Sequence, residues 1–245
     1  MSKSTVSETS ENSMSSKAYV SLADRAYHLI LDQMLRGSLP VGSVLSRRKL
    51  GEQFQMSLVP VAQALQRLEI EGLLESRPRA GTRVRVPTTE EIRARFELRE
   101  ALECQSARFC AARATFQERL ELKRLAENVD ALHSRLDADG NDNDFVFAVN
   151  KYHVDLHMSI AEYARSEFIK SEIEKSHVLV FNWLYDASLR RRTFPPAFHR
   201  DLVNAITDSN PHDAAEKMRA HVIYGLNSTQ IEMEPLHKQA WRLKH

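Results

Sequence analysis

Between residue 90 and about residue 233, apolar side chains recur at helical spacing in one segment after another, and no stretch alternates as a strand does. Such a region can bury its apolar stripes only by packing helix on helix, so it must form an all-α bundle. Breaks near Thr115, from Asp137 to Asp144 around Gly140, from Thr193 to Pro196 and at Asn210-Pro211 divide it into about six helices.

The preceding segment has a different texture. Leu22, Ala26, Leu29, Ile30 and Met34 mark a first helix that stops at Arg36-Gly37, with Pro40 and Gly42 in the turn that follows. Ser46 is placed to cap a short second helix through about Phe54. Ser57 and Pro60 open a third, whose apolar face is Val61, Ala64, Leu65 and Leu68 and whose end is Gly72. Leu73-Leu74-Glu75-Ser76-Arg77 and Thr82-Arg83-Val84-Arg85-Val86 read as two strands around Pro78-Arg79-Ala80-Gly81. Three helices and a two-stranded basic hairpin make a winged helix-turn-helix. The expected organisation is therefore mainly α: a polar, disordered tail over residues 1–18, a winged helix over 19–87, an all-α domain over 88–235 and a short tail over 236–245.

The net charge of +1 is unevenly spread. Residues 21–88 hold ten Lys/Arg against six Asp/Glu, concentrated at Arg47-Arg48-Lys49 and at Arg77, Arg79, Arg83 and Arg85. A local excess of that sign steers DNA phosphates even on a nearly neutral chain. The first residues lack the apolar run of a secretory signal, and nothing approaches the ~20 apolar residues of a membrane span, so a cytoplasmic protein without a membrane partner is expected. Cys104 and Cys110 are spaced unlike any metal or redox motif and read as free, packed thiols.

From Leu22 to Val86 the chain resembles the DNA-binding domain of the GntR family of bacterial regulators. The resemblance is carried by Arg36-Gly37-Ser38-Leu39-Pro40-Val41-Gly42, Leu50-Gly51-Glu52-Gln53-Phe54, Pro60-Val61, Ala64-Leu65-Gln66-Arg67-Leu68-Glu69-Ile70-Glu71-Gly72-Leu73 and Arg79-Ala80-Gly81-Thr82-Arg83-Val84. It implies a third helix lying in the ~12 Å major groove and a wing following the adjacent backbone. By position Ser57, Val59 and Gln63 face bases or phosphates, Arg47, Arg48, Arg67, Arg79 and Thr82 meet phosphates or stand beside them, and Gly81 lets the wing approach closely. Leu58 and Ala62 stand where the family usually has Arg, which leaves Gln63 as the side chain best suited to read a base, adenine above all.

In the second domain His153 and His157 lie four residues apart on one helix face, where two imidazoles can share a metal. His199 opens a later helix and His221 closes another, so three helices can point imidazoles inward. His28, His133, His177, His212, His237 and His245 read as ordinary polar residues. From about Glu90 to Glu232 the chain is similar to the FCD-type (VanR-like) ligand-binding domain of the FadR subfamily, through Glu97-Leu98-Arg99-Glu100-Ala101-Leu102-Glu103, Leu156-His157 with Ile160-Ala161, and His199 and His221. Many members bind a divalent metal through one Asp and three His; here His153 stands in the Asp position. The implied site is four imidazoles, or three with a water, and Asn150 on the same face is a poor substitute ligand.

Imidazole donors suit zinc first, with nickel an alternative, and a neutral donor set leaves the ion's charge for an anionic effector to balance. Arg99 is a candidate clamp for that effector's carboxylate, or else half of an inter-helix salt bridge with neighbours of Glu103. The expected protein is a homodimeric, non-enzymatic regulator, a repressor by analogy, that binds operator DNA and answers to a small organic acid. Two other readings are a dimer with a purely structural metal and a His-rich metalloenzyme, although no Glu near His157 is placed as in His-Glu-x-x-His.

Overall fold

A computed structural model describes residues 21–77, 81–139, 143–189, 194–208 and 210–242. The N-terminal half runs α1 (Leu22–Leu35), β1 (Val44–Leu45), α2 (Arg47–Phe54), α3 (Leu58–Ile70), β2 (Leu74–Arg77) and β3 (Gly81–Val84). The first two helices start where a small polar side chain meets an orphan backbone N–H: Ser21 accepts from Asp24 N and Ser46 from Lys49 N. Pro60 sits in the first turn of α3, where its missing N–H costs nothing. Gly72, at φ +77°, closes α3 with Leu73 N bonded to Leu68 O and Gly72 N to Glu69 O, a Schellman turn that only a residue free of Cβ adopts without strain.

The sheet has three strands, in the order β1-β3-β2, all antiparallel. The hairpin of β2 and β3 matches expectation, whereas β1 was not foreseen. Its two residues, Val44 paired with Arg83 and Leu45 with Thr82, are too few to show alternation. Ala26, Ile30, Met34, Val61, Leu68 and Val84 form the core beneath it.

The second domain contains α4 (Thr89–Arg113), α5 (Phe116–Asp139), α6 (Asn143–Tyr163), α7 (Glu167–Lys175), α8 (Val178–Leu189), α9 (Phe198–Asp208) and α10 (Pro211–Arg242). Thr88 and Glu91 cap α4 reciprocally, and Asn210 caps α10 by accepting from His212 N and Asp213 N. The described residues thus form seven helices where about six were expected. The additional breaks are made at Arg165 and His177, which take positive φ of 50° and 53° without any Gly or Pro to announce them. Likewise α10 continues through Pro235 to Arg242, past the expected boundary at residue 235, because an interior proline removes one hydrogen bond and need not end a long helix. None of the helices described is long and apolar enough to cross a membrane.

The two halves share one apolar core. Leu35, the last residue of α1, and Trp183 of α8 form a small cluster with Phe147 and Val154, and the Trp183 indole donates to Leu35 O at 3.1 Å. Arg36 pairs with Asp144 at 2.6 Å and lies 4.0 Å from the Phe147 ring.

Leu68 is fully buried and Ile70, two residues on, is 79% exposed. Leu68→Ala should therefore cost roughly 2–5 kcal/mol. Ile70→Ala should stay within about 0.5 kcal/mol. Equilibrium denaturation of both variants checks the placement of the α3 face.

Candidate metal centre and nucleic-acid face

The buried face of α6 carries Val149, Asn150, His153, Leu156, His157 and Ile160. His153 and His157 are one turn apart, so both rings project toward α10, where they meet His221. The three Nε2 atoms converge: His157 to His153 is 3.0 Å, His157 to His221 3.2 Å and His153 to His221 3.5 Å. All three residues are at most 5% exposed. A tetrahedral zinc with Zn–N near 2.0–2.1 Å sets its nitrogens about 3.3 Å apart, which is the size of this triangle. The donor set therefore fits a divalent cation of the zinc type.

Two carboxylates fix which ring nitrogens face inward. His157 Nδ1 lies against Glu103 Oε2 of α4, and a carboxylate only accepts, so the proton sits on Nδ1 and Nε2 keeps its lone pair. His199, fully buried at the start of α9, makes the same contact with Asp130 of α5, 2.7 Å from Nδ1 to Oδ1. Asp130 also accepts the His199 and Arg200 backbone N–H groups at 3.0 and 3.1 Å, so it caps α9 and orients its first histidine at once. The His199 ring is 5.0 Å from His153 and 5.3 Å from His221, centroid to centroid. The structure therefore places His153, His157 and His221 as a triad and sets His199 beside it.

Burial and the neighbouring imidazoles push the His153 ring well below its ordinary pKa, which keeps it neutral and ready to donate. Burial alone would raise the Glu103 carboxyl, but Arg99 and His157 beside it pull it down to about 2. Asp130 is likewise held low against its burial, by the hydrogen bonds from His199 and Arg200. Cys104 and Cys110 are free thiols, raised to about 12 chiefly by burial, and take no part.

Arg99 is not exposed to a pocket. It is 2% exposed, donating from Nε to Glu103 at 2.6 Å and from NH1 to Asn182 at 2.8 Å. Its salt bridge is made to Glu103 within α4, where one between helices was expected, and its link to another helix is the hydrogen bond to Asn182 of α8. His133 departs from its expected ordinary place: it is buried, stacks on His199 at 5.3 Å and 8°, and packs edge-on to Phe194 at 4.5 Å. Sequence reasoning missed His133, Asp130 and Glu103 because each lies on a different helix from its partner. The spacing of Asp130 and His133, three apart on α5, is the only local signal.

His133 and Phe194 also line an open cleft of about 410 Å³, together with Asp130, Ser134, Pro195 and Arg200. A second cleft of about 500 Å³, between α4 and α10, is lined by Glu97, Glu100 and Glu216, and its Arg219 is taken up by Glu100 at 3.2 Å. The first cleft reaches His133, which stacks on His199, and the second reaches none of the clustered imidazoles.

On the DNA-binding half, Arg47, Arg48 and Lys49 are exposed on α2, and Ser57, Leu58, Val59 and Gln63 are exposed on the first turns of α3. Ser57 makes no side-chain cap bond. Gly81 takes φ +81°, and the Thr82 hydroxyl lies 3.0 Å from that of Ser76. Arg67 turns away from this face, pairing with Glu71 at 3.0 Å and Asp24 at 3.2 Å over the Tyr27 ring, so it fastens α3 to α1. In the wing, Arg83 is paired with Glu75 and Arg85 with Glu91. Arg79, His237 and His245 lie outside the residues whose side chains are described, as does the tail over residues 1–18.

Comparison with known proteins agrees with this architecture. Residues 22–84 match the gntR family of bacterial regulatory proteins and residues 94–223 match the FCD domain. The Uxu operon regulator of Haemophilus influenzae is 26% identical over 218 residues, covering 81% of this chain and 78% of its own. The "Probable D-xylose utilization operon transcriptional repressor" of Paenarthrobacter nicotinovorans is 32% identical over 90 residues, of which the match spans 40% of that protein and 37% of this chain. Among solved structures, a protein of Rhodococcus sp. RHA1 described as a GntR regulator superposes with TM-score 0.68 at 19% identity, covering 84% of this chain and 96% of its own. McbR/YncC of E. coli superposes with TM-score 0.65 at 20% identity, covering 86% and 98%. These two likenesses speak for the fold.

Zinc added to metal-free protein should raise its thermal midpoint, since a ligand at 100 times its Kd adds about 2.7 kcal/mol to the folded state. His157→Ala and His221→Ala should abolish that rise, while His212→Ala, at a side chain 83% exposed, should keep it. Thermal denaturation with and without zinc reads the difference, and a full response in His157→Ala would contradict the site.

Proposed function

This chain belongs to the GntR family of bacterial regulators and carries an FCD domain, and we propose on that premise that its DNA binding is controlled by a small carboxylate-bearing metabolite at a histidine-held divalent metal. It acts as a cytoplasmic homodimer, most simply as a repressor of a catabolic or transport operon, as the names of its relatives suggest. His153, His157 and His221 hold the ion, with His199 as a fourth donor; zinc is first choice and nickel second. When bound, the ion supplies a Lewis-acidic position for an effector oxygen.

One observation carries the choice of an anion. Both carboxylates next to the ligand histidines already have arginine partners: Glu103 pairs with Arg99, and Asp130 with Arg200 at 3.3 Å. Four neutral imidazoles contribute no charge, so the ion's charge of about +2 is left for whatever enters. The cleft bordered by His133, Ser134 and Arg200, with Glu127 and Asp130 on the same wall, is the opening nearest to the histidines. The cleft between α4 and α10, where Glu97, Glu100 and Glu216 stand with Arg108 and Arg219, does not adjoin the histidines. An effector shifts operator affinity only as far as it prefers one dimer geometry.

A structural metal is the second reading, favoured by the very low exposure of the triad. A panel of small carboxylic acids and their uncharged alcohol analogues, added to zinc-loaded and metal-free protein, separates the two. A carboxylate that raises the thermal midpoint only in the zinc-loaded form supports sensing; equal effects in both forms would remove the metal from effector binding.

On the DNA side, Ser57, Val59 and Gln63 are proposed to meet base edges, with Val59 suited to a thymine methyl and Gln63 to adenine. Arg47, Arg48, Arg79 and Thr82 contact phosphates, and Gly81 supplies the wing's turn. Arg67 is left out, because its ion pairs are spent on Asp24 and Glu71. With duplexes selected by the full chain from a random library, Gln63→Ala should cost roughly 1–3 kcal/mol and relax one base position. Arg47→Ala should weaken all sequences alike and lower the salt slope by about one. An unaltered slope would reject the phosphate role.

A further inference from the structure

One continuous line of buried polar contacts runs from the imidazole triad to the DNA-binding half. His157 Nδ1 lies against Glu103 Oε2, and Glu103 Oε1 accepts from Arg99 Nε at 2.6 Å. Arg99 NH1 donates to Asn182 Oδ1 at 2.8 Å, and Asn182 is on α8. The next residue of α8 is Trp183, whose indole N–H holds Leu35 O, the last carbonyl of α1, at 3.1 Å. Arg99, Glu103, His157 and Asn182 are all at most 3% exposed, so water does not compete for any of these bonds.

The residue before Asn182 reaches the same half at a second point. The Phe181 ring lies 3.2 Å beneath the Arg95 guanidinium and stands 4.0 Å from where a Cβ on Gly72 would be, at the turn that ends α3. Three consecutive residues of α8 therefore touch the end of α1, the end of the recognition helix and the outer sphere of the histidine site. A helix turns as a unit, so no one of these contacts changes alone.

We infer that α8 is the element through which the histidine site governs the DNA-binding half, with Glu103, Arg99 and Asn182 as positioning residues and Trp183 as the point of attachment. The inference rests on the metal reading given above. Glu103 is the shared group: one oxygen serves His157 and the other Arg99. A cation held on Nε2 would polarise the His157 ring and strengthen its hold on Glu103, and any shift of that carboxylate would pass through Arg99 and Asn182 to α8. In a water-free interior such a redistribution is not screened. Arg99 thus acts on the site from its outer side without touching an effector.

Hydrogen–deuterium exchange on the full chain, with zinc ion alone as the probe, tests this in wild type, Trp183→Phe and Asn182→Ala. Trp183→Phe keeps an aromatic ring and removes only the donor to Leu35, so it guards against a failure of Asn182→Ala to fold. In wild type, zinc should slow exchange several-fold in α6 and α10, and also in the last turn of α1 and at the end of α3. In Trp183→Phe the slowing in α6 and α10 should persist while that in α1 is lost. Protection of α1 that survives in Trp183→Phe overturns the role of α8. Wild-type protection confined to α6 and α10 overturns the coupling and leaves the metal reading standing, whereas no protection anywhere overturns both.

Discussion

The second domain depends on holding three imidazole nitrogens from two helices within 3.0–3.5 Å of one another in a water-free interior. Three neutral rings at that separation cannot all satisfy one another, because each Nε2 brings either one proton or one lone pair. The cluster is tolerable because Glu103 and Asp130 orient the surrounding rings from behind, and because Arg99 and Arg200 in turn balance those carboxylates. Five of the seven helices are committed to this arrangement: α4 brings Glu103, α5 Asp130 and His133, α6 His153 and His157, α9 His199, and α10 His221. The packing of the bundle and the geometry of the site are consequently one problem.

Charge is distributed differently at the other end of the molecule. Residues 21–88 carry a surplus of cations, yet several of them are occupied within the fold: Arg67 clips α3 to α1, Arg83 and Arg85 brace the wing against Glu75 and Glu91, and Arg36 ties α1 to Asp144. What faces outward on α2 and the start of α3 is a smaller set, Arg47, Arg48 and Lys49 beside Ser57, Val59 and Gln63. A raw count of basic residues thus exaggerates the charge available to a polyanion. The pairs that consume the rest keep the recognition helix at a fixed angle to its support.

Much of this was legible in the order of residues. Ser46 and Gly72 mark helix ends through local backbone chemistry, and a spacing of four puts His153 over His157 whatever the rest of the chain does. The resemblance supplied His199 and His221, which no local pattern links to α6. The structure had to supply what depends on contact between distant segments. β1 is two residues long and exists only because β3 offers it partners. Arg165 and His177 break helices through φ values to which their side chains give no clue. His133, an ordinary residue in sequence, becomes part of the histidine cluster through stacking on a ring 66 positions away in a different helix. Arg99 was read from sequence as a clamp or a bridge between helices, and contact alone shows that Glu103, one turn along the same helix, takes its guanidinium.

The central claim is that imidazoles from α6 and α10 share a single ion, and X-ray absorption at the zinc edge of the zinc-loaded full chain examines it most directly. The account predicts a first shell of three or four nitrogens at about 2.0–2.1 Å with the outer scattering of imidazole rings. A first shell of oxygens alone, or of sulfur near 2.3 Å, would contradict it.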